Sequence, residues 1–86
     1  MLARYSIPMN DKLQTAVSEA LKTIRIKKKM SQEDLAHACE LDRTYISGIE
    51  RNTRNPTIKT IGKIIPSLNI TEQEFFLVVI EILNND

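Results

Sequence analysis

Between Asp42 and Arg51 the chain gathers side chains suited to reading the edge of a base pair. On a helical wheel at about 100° per residue, Arg43, Thr44, Ser47, Gly48 and Arg51 share an outward arc of roughly 140°. Ile46 and Ile49 fall on the opposite side, toward a core. The outward set offers two guanidiniums, two hydroxyls and a glycine whose missing side chain permits close approach of a surface. A guanidinium can bond O6 and N7 of guanine together, a contact worth about 1–3 kcal/mol of discrimination. Arg43, in the first turn, is best placed for that. Thr44 can bond a base or pack its methyl on thymine, and Ser47 can reach a base or a phosphate. The segment Arg51-Asn-Thr-Arg-Asn55 that follows has the composition of a phosphate clamp, with Arg51, Asn52, Arg54 and Asn55 fixing register on a backbone without reading sequence.

Charge supports a polyanionic partner. The net charge is only +1. Yet Lys22–Lys63 holds ten Lys or Arg against five Asp or Glu, and the sixteen residues from Thr71 onward contain no Lys or Arg. The middle is therefore charged to meet nucleic acid and the tail is not.

The elements that must position these residues are helices. With 86 residues, 42% apolar and 27% charged, the chain fits one small domain. Only two glycines and three prolines are present, too few turn formers for an all-β fold. Residues 1–10 are expected to be an irregular N-terminal arm ending near Pro8, with Asn10 or Asp11 capping a first helix over 11–27. Ser31-Gln-Glu-Asp34 opens a second helix reaching Cys39, with Ser31 and Asp34 placed as a capping box. Glu40-Leu-Asp42 is a turn, and Asp42 caps a third helix over 43–52. Residues 52–56 form a loop. Thr57 opens a fourth helix with Ile58, Ile61, Ile64 and Ile65 inward, which Pro66 stops or kinks. Thr71-Glu-Gln-Glu74 is a second capping box, opening a fifth helix over 72–84. The expected fold is all-α: residues 11–86 form five helices, with the second and third as a helix-turn-helix.

The fifth helix is apolar almost all the way round. An 86-residue core can hardly surround it, so part of it should form an interface. Phe75, Phe76, Val79, Ile80 and Leu83 are the expected contacts of a two-fold homodimer, which suits a palindromic operator in double-stranded DNA.

Other chemistries find little support. The single histidine, His37, stands two residues from the single cysteine, Cys39, and such positions do not face each other on a helix. No metal-binding or nucleophilic constellation is spaced along the chain, so no metal, cofactor, small-molecule substrate or catalytic residue is expected. A lone cysteine forms no internal disulfide, and no apolar run reaches membrane-spanning length. A cytoplasmic location with no membrane partner is expected.

Three strings carry a family likeness. Ser31-Gln-Glu-Asp-Leu-Ala36, Leu41-Asp-Arg-Thr-Tyr-Ile-Ser-Gly-Ile-Glu-Arg51 and Arg54-Asn-Pro-Thr-Ile58 resemble the lambda-repressor-like (XRE-type) helix-turn-helix family, and most of all the controller proteins of bacterial restriction–modification systems. The resemblance covers about residues 13–83. It implies that Gln32 contacts the DNA backbone, that Arg43, Thr44 and Ser47 read bases, and that Arg51, Asn52, Arg54 and Asn55 grip phosphates. It places Tyr45 near the DNA, although the wheel sets Tyr45 beside the core residues. It further implies a structural ion pair between Arg25 and Glu50. A controller would bind upstream of its own gene as a homodimer, first activating and then repressing, with RNA polymerase as a further partner. A prophage-type repressor or an antitoxin on the same fold is the alternative. The family pattern has glycine at two positions occupied here by Lys29 and Glu40, where a left-handed backbone is expected.

Overall fold

In the computed structural model, which describes the backbone of residues 2–85 and the side chains of residues 12–85, five helices follow one another: α1 (Leu2–Lys27), α2 (Gln32–Cys39), α3 (Arg43–Glu50), α4 (Ile58–Ser67) and α5 (Glu72–Asn84). Among the described residues there is no strand. The expected start at residue 11 is too late, because the backbone of 2–10 is already helical and Asn10 and Asp11 lie inside α1 rather than capping it. Pro8 lacks one N–H donor, but its fixed φ is a helical one, so a helix can pass through it at the loss of a bond. At about 1.5 Å per residue the 26-residue α1 spans roughly 39 Å. That accounts for the long dimension of a molecule measuring 43 × 23 × 19 Å.

Each remaining helix starts on a side-chain cap. The Asp34 amide donates to Ser31 Oγ at 2.9 Å, and the Ser31 amide donates back to Asp34 Oδ2 at 3.0 Å. Thr71 and Glu74 repeat the exchange at 3.1 and 2.8 Å. Both capping boxes satisfy amides that a helix start leaves without partners. The donated bonds hold the Asp34 and Glu74 carboxyls below the ordinary carboxylate range. Asp42 accepts from the Thr44 amide at 3.3 Å, and Thr57 accepts from the Thr60 amide at 3.1 Å.

The core draws on every helix. Ala16, Ala20, Leu21 and Ile24 of α1 meet Leu35, Ala36 and Cys39 of α2, Ile46 and Ile49 of α3, Ile64 and Ile65 of α4, and Phe75 and Val79 of α5. Burial pushes the Cys39 thiol pKa up, and the thiol donates weakly to the Ala36 carbonyl. Two details of α4 depart from expectation. Ile58 is 81% exposed, because it occupies the first helical position, beyond the edge of the core that Ile64 and Ile65 reach. Pro66 does not stop the helix but sits in its last turn, and α4 runs one residue further before Leu68 is fully buried. A proline there forfeits only the bond to the carbonyl four residues earlier.

Four non-glycine residues turn the chain with positive φ: Lys29 (61°), Glu40 (57°), Asn52 (63°) and Asn69 (59°). Lys29 and Glu40 are the two expected from the sequence. Both side chains are exposed. Each pays a left-handed penalty of about 1–2 kcal/mol that glycine avoids, offset in part by glycine's larger entropy loss on folding. Lys29→Gly and Glu40→Gly are each expected to raise stability by about 0.5–1 kcal/mol in urea unfolding. A loss at either position would mean that its side chain makes a compensating contact.

Candidate nucleic-acid interface

The unit α2–turn–α3 is a helix-turn-helix with its angle set by backbone bonds and a buried seam. The Leu41 amide donates to the Ala36 carbonyl at 2.9 Å and the Glu40 amide to the His37 carbonyl at 3.3 Å, closing α2 as Glu40 turns left-handed. Leu35, Ile46 and Ile49 are fully buried between the two helices and the rest of the core. The opposite face of α3 is left outward.

On that face Arg43 and Thr44 are exposed and Ser47 is half-buried. The Thr44 hydroxyl donates to Asp42 Oδ1 at 3.2 Å, which leaves its lone pairs and methyl outward. The Arg51 guanidinium bonds the Ser47 hydroxyl, so these two side chains form one polar unit one turn apart. The three residues expected to read bases are therefore brought together, with Arg51 beside them.

Gly48 departs from expectation. It is buried, and the close approach it permits is that of the protein's own loop. A Cβ there would lie 2.5 Å from Arg54 Cγ and 3.4 Å from Arg54 Cβ. Its carbonyl accepts from the Thr53 amide (2.9 Å), the Arg54 amide (3.1 Å) and the Thr53 hydroxyl (3.1 Å). The Arg54 guanidinium then lies 5.6 Å from the centroid of the Tyr45 ring, a cation–π distance. Tyr45 is half-buried, between the core and the outward face, as the wheel had it.

Asn52, expected at a phosphate, also bonds inside the protomer while staying exposed: Nδ2 donates to Thr15 Oγ1 at 2.9 Å, and Oδ1 accepts from the buried Ser18 hydroxyl at 3.3 Å. It ties the loop to α1. Sequence reasoning missed Ser18 and Thr15. The signal was available in Ser18, a polar residue among Ala16, Val17, Ala20 and Leu21 that must find a partner if buried. Arg51, Arg54 and Asn55 remain exposed.

Behind α3 lies the Arg25–Glu50 pair. Arg25 Nε donates to Glu50 Oε2 at 2.6 Å and Nη2 to Oε1 at 3.0 Å, while Nη1 donates to the Met30 carbonyl at 2.6 Å. Both side chains are almost wholly buried. Gln32 Nε2 donates to the same Oε1 at 3.0 Å, so Gln32 belongs to this network as well as lying at the start of α2.

On α5, Phe75 and Val79 are 2% and 3% exposed and belong to the protomer's own core. They cannot serve as surface contacts of a partner. The outward apolar residues are Phe76 (43%), Leu77 (60%) and Ile80 (50%), with Leu83 partly buried. Leu77, which sequence reasoning did not single out, is the most exposed of them. Lys27, Lys28 and Lys29 lie exposed at the far end of α1.

A helix-turn-helix whose second helix presents arginine and hydroxyl groups to solvent, with arginines in the loop beyond, has the geometry of a DNA-binding domain of the repressor type. Residues 21–75 match the family model described as helix-turn-helix. The chain is 40% identical to control protein C.BamHI of Bacillus amyloliquefaciens over 77% of this chain and 83% of that one. It is 41% identical to control protein C.MunI of a Mycoplasma species over 79% and 92%. The restriction–modification controller protein C.Esp1396I, solved as a tetramer with its natural 35-base-pair operator, superposes with a TM-score of 0.82 at 49% identity, covering 84% of this chain and 95% of that one. The chain belongs to the helix-turn-helix family, in the branch of the restriction–modification control proteins.

Removing one partner of a buried, hydrogen-bonded ion pair leaves the other charge unsatisfied, at about 3–5 kcal/mol. Glu50→Ala is expected to cost that much in chemical denaturation, a large share of the stability of so small a domain. A loss below about 1 kcal/mol, the range of exposed pairs, would show that the network is not needed to hold α3.

Proposed function

We propose that two copies of this chain bind one two-fold symmetric operator, each laying α3 in a major groove, and that the operator lies at the chain's own promoter. The carrying observation is the outward face of α3: Arg43, Thr44 and Ser47 stand together on a helix whose other side is locked into the core. Arg43 is assigned to a base edge and Thr44 and Ser47 to neighbouring bases. Arg51, Arg54 and Asn55 are assigned to phosphates. Gln32, at the N-terminus of α2, is assigned to the backbone on the other flank, since its amide still has a free N–H and a free carbonyl. The operator complex of C.Esp1396I supports this reading, as do the names of the control-protein relatives. Phe76, Leu77 and Ile80 are assigned to the homodimer contact, with Leu83 at its edge. The activity is regulatory rather than catalytic, it is carried out in the cytoplasm, and RNA polymerase is the partner through which activation would run.

The test is a titration onto the DNA upstream of the chain's own gene and onto a scrambled duplex, at two salt concentrations. Binding that is tight and salt-sensitive on the upstream DNA alone is expected. Equal, weak binding to both would reduce the basic middle of the chain to a non-specific electrostatic surface. Arg43→Ala is expected to lower the preference for the operator by about 1–3 kcal/mol while leaving scrambled-duplex binding nearly unchanged. If it weakened both duplexes equally, Arg43 would be a phosphate contact instead.

Ile80→Asp places a charge in the outward apolar face of α5. A shift from dimer to monomer in sedimentation velocity, with helicity retained, is expected. A variant that still sediments as a dimer would move the interface off α5.

A further inference from the structure

Arg54 is exposed and stands outside the helix-turn-helix, in a loop whose residues should be free to move. Yet its stem and head are both held by α3. The stem crosses Gly48 where any Cβ would collide at 2.5 Å with Cγ, an atom too close to the backbone to swing aside cheaply. The head lies 5.6 Å from the Tyr45 ring centroid. The backbone beneath is fixed by the three bonds accepted by the Gly48 carbonyl. The loop's other end is fixed to α1 by Asn52, whose left-handed backbone turns the chain and whose amide bonds Thr15 and Ser18.

We propose that Gly48 and Tyr45 are positioning residues that latch Arg54 against the reading helix, so that the phosphate contact is built before DNA arrives. This rests on the assignment of Arg54 to the DNA backbone. Tyr45 then serves through the face of its ring, which carries the guanidinium, and not through its hydroxyl. Gly48 serves by the absence of a side chain. A cation held in place loses less rotamer freedom on binding than one drawn from solvent, which is the physical advantage of the latch. It also couples register to reading, because Arg54 and Arg43 are then carried by one rigid body.

The experiment measures affinity and its salt dependence for wild type, Gly48→Ala, Tyr45→Phe, Tyr45→Leu, Arg54→Ala and the double variant Gly48→Ala/Arg54→Ala, on operator and scrambled duplexes. Arg54→Ala is expected to weaken binding to both duplexes roughly tenfold and to lower the salt slope by about one. Gly48→Ala and Tyr45→Leu should reproduce most of that loss, and Tyr45→Phe, which keeps the ring, should retain wild-type binding. Gly48→Ala should stay folded with wild-type helicity, alanine's better helix propensity inside α3 offsetting part of the cost of displacing the Arg54 stem. In the double variant the Gly48→Ala change should add nothing to Arg54→Ala. Full additivity in the double variant would overturn the latch, as would a Tyr45→Phe loss as large as that of Tyr45→Leu. Failure of the operator reading itself would show separately, as equal binding of the wild type to the two duplexes. The latch is read from differences between variants on either duplex.

Discussion

One carboxylate organises the DNA-facing half of this molecule. Glu50, the last residue of α3, accepts two bonds from Arg25 of α1 and a third from Gln32 of α2. Arg25 extends the same network to the Met30 carbonyl in the turn between α1 and α2. Three helices and a turn thus meet at one buried charge pair. Such pairs add little net stability over a well-packed apolar contact, because both ions lose their hydration. What the pair does supply is geometry. Glu50 sits at the border between the inward and outward sides of α3, so anchoring it sets the helix's roll. With Ile46 and Ile49 fully buried below, the azimuths of Arg43, Thr44 and Ser47 follow.

The polar residues around α3 then divide by partner rather than by type. Asn52 and Asn55 look interchangeable in the sequence and both are exposed, but Asn52 is tied to α1 by its bonds with Thr15 and Ser18. Arg25 and Arg43 differ in the same way, one buried against a carboxylate and one in solvent. A buried polar group must be bonded, so burial withdraws Arg25 from the surface available to DNA and leaves Arg43 on it.

This division marks the limit of what could be read from the chain. The caps at Ser31, Asp42, Thr57 and Thr71 were legible, because capping depends on residues two or three apart. So was the inward pair Ile46 and Ile49, because the period of a short amphipathic helix fixes it. The left-handed turns at Lys29 and Glu40 came from the resemblance, which marks both as glycine positions. The partners of Ser18, Asn52 and Gly48 were not legible, since they are set by the crossing of α1, α3 and the loop, contacts more than 30 residues apart in the case of Asn52. The roll of α5 was not legible either. A helix apolar on every side has no preferred direction of its own, and it is packing on α1 and α4 that draws Phe75 and Val79 inward and leaves Phe76, Leu77 and Ile80 outside.

The outward side of α5 and the outward side of α3 are linked by energetics as well as by the fold. α3 is eight residues long and, in the proposed scheme, offers three side chains for bases. At about 1–3 kcal/mol for each good contact, one such helix distinguishes its site by roughly 3–9 kcal/mol at most, and non-ideal contacts bring it toward the lower figure. A genome presents about a million or more competing sites, which by the tenfold-per-1.4 kcal/mol rule calls for roughly 8 kcal/mol to overcome. One protomer falls short of that in all but the best case. Two protomers on adjoining half-sites double the reading surface and the number of phosphate contacts while losing overall freedom once, provided they are already joined. The exposed apolar residues of α5 are therefore more than uncovered surface in the proposed scheme. Without the contact they would make, the reading helix has too few side chains to single out one operator, and the arginines beside it would hold the protein to DNA of any sequence.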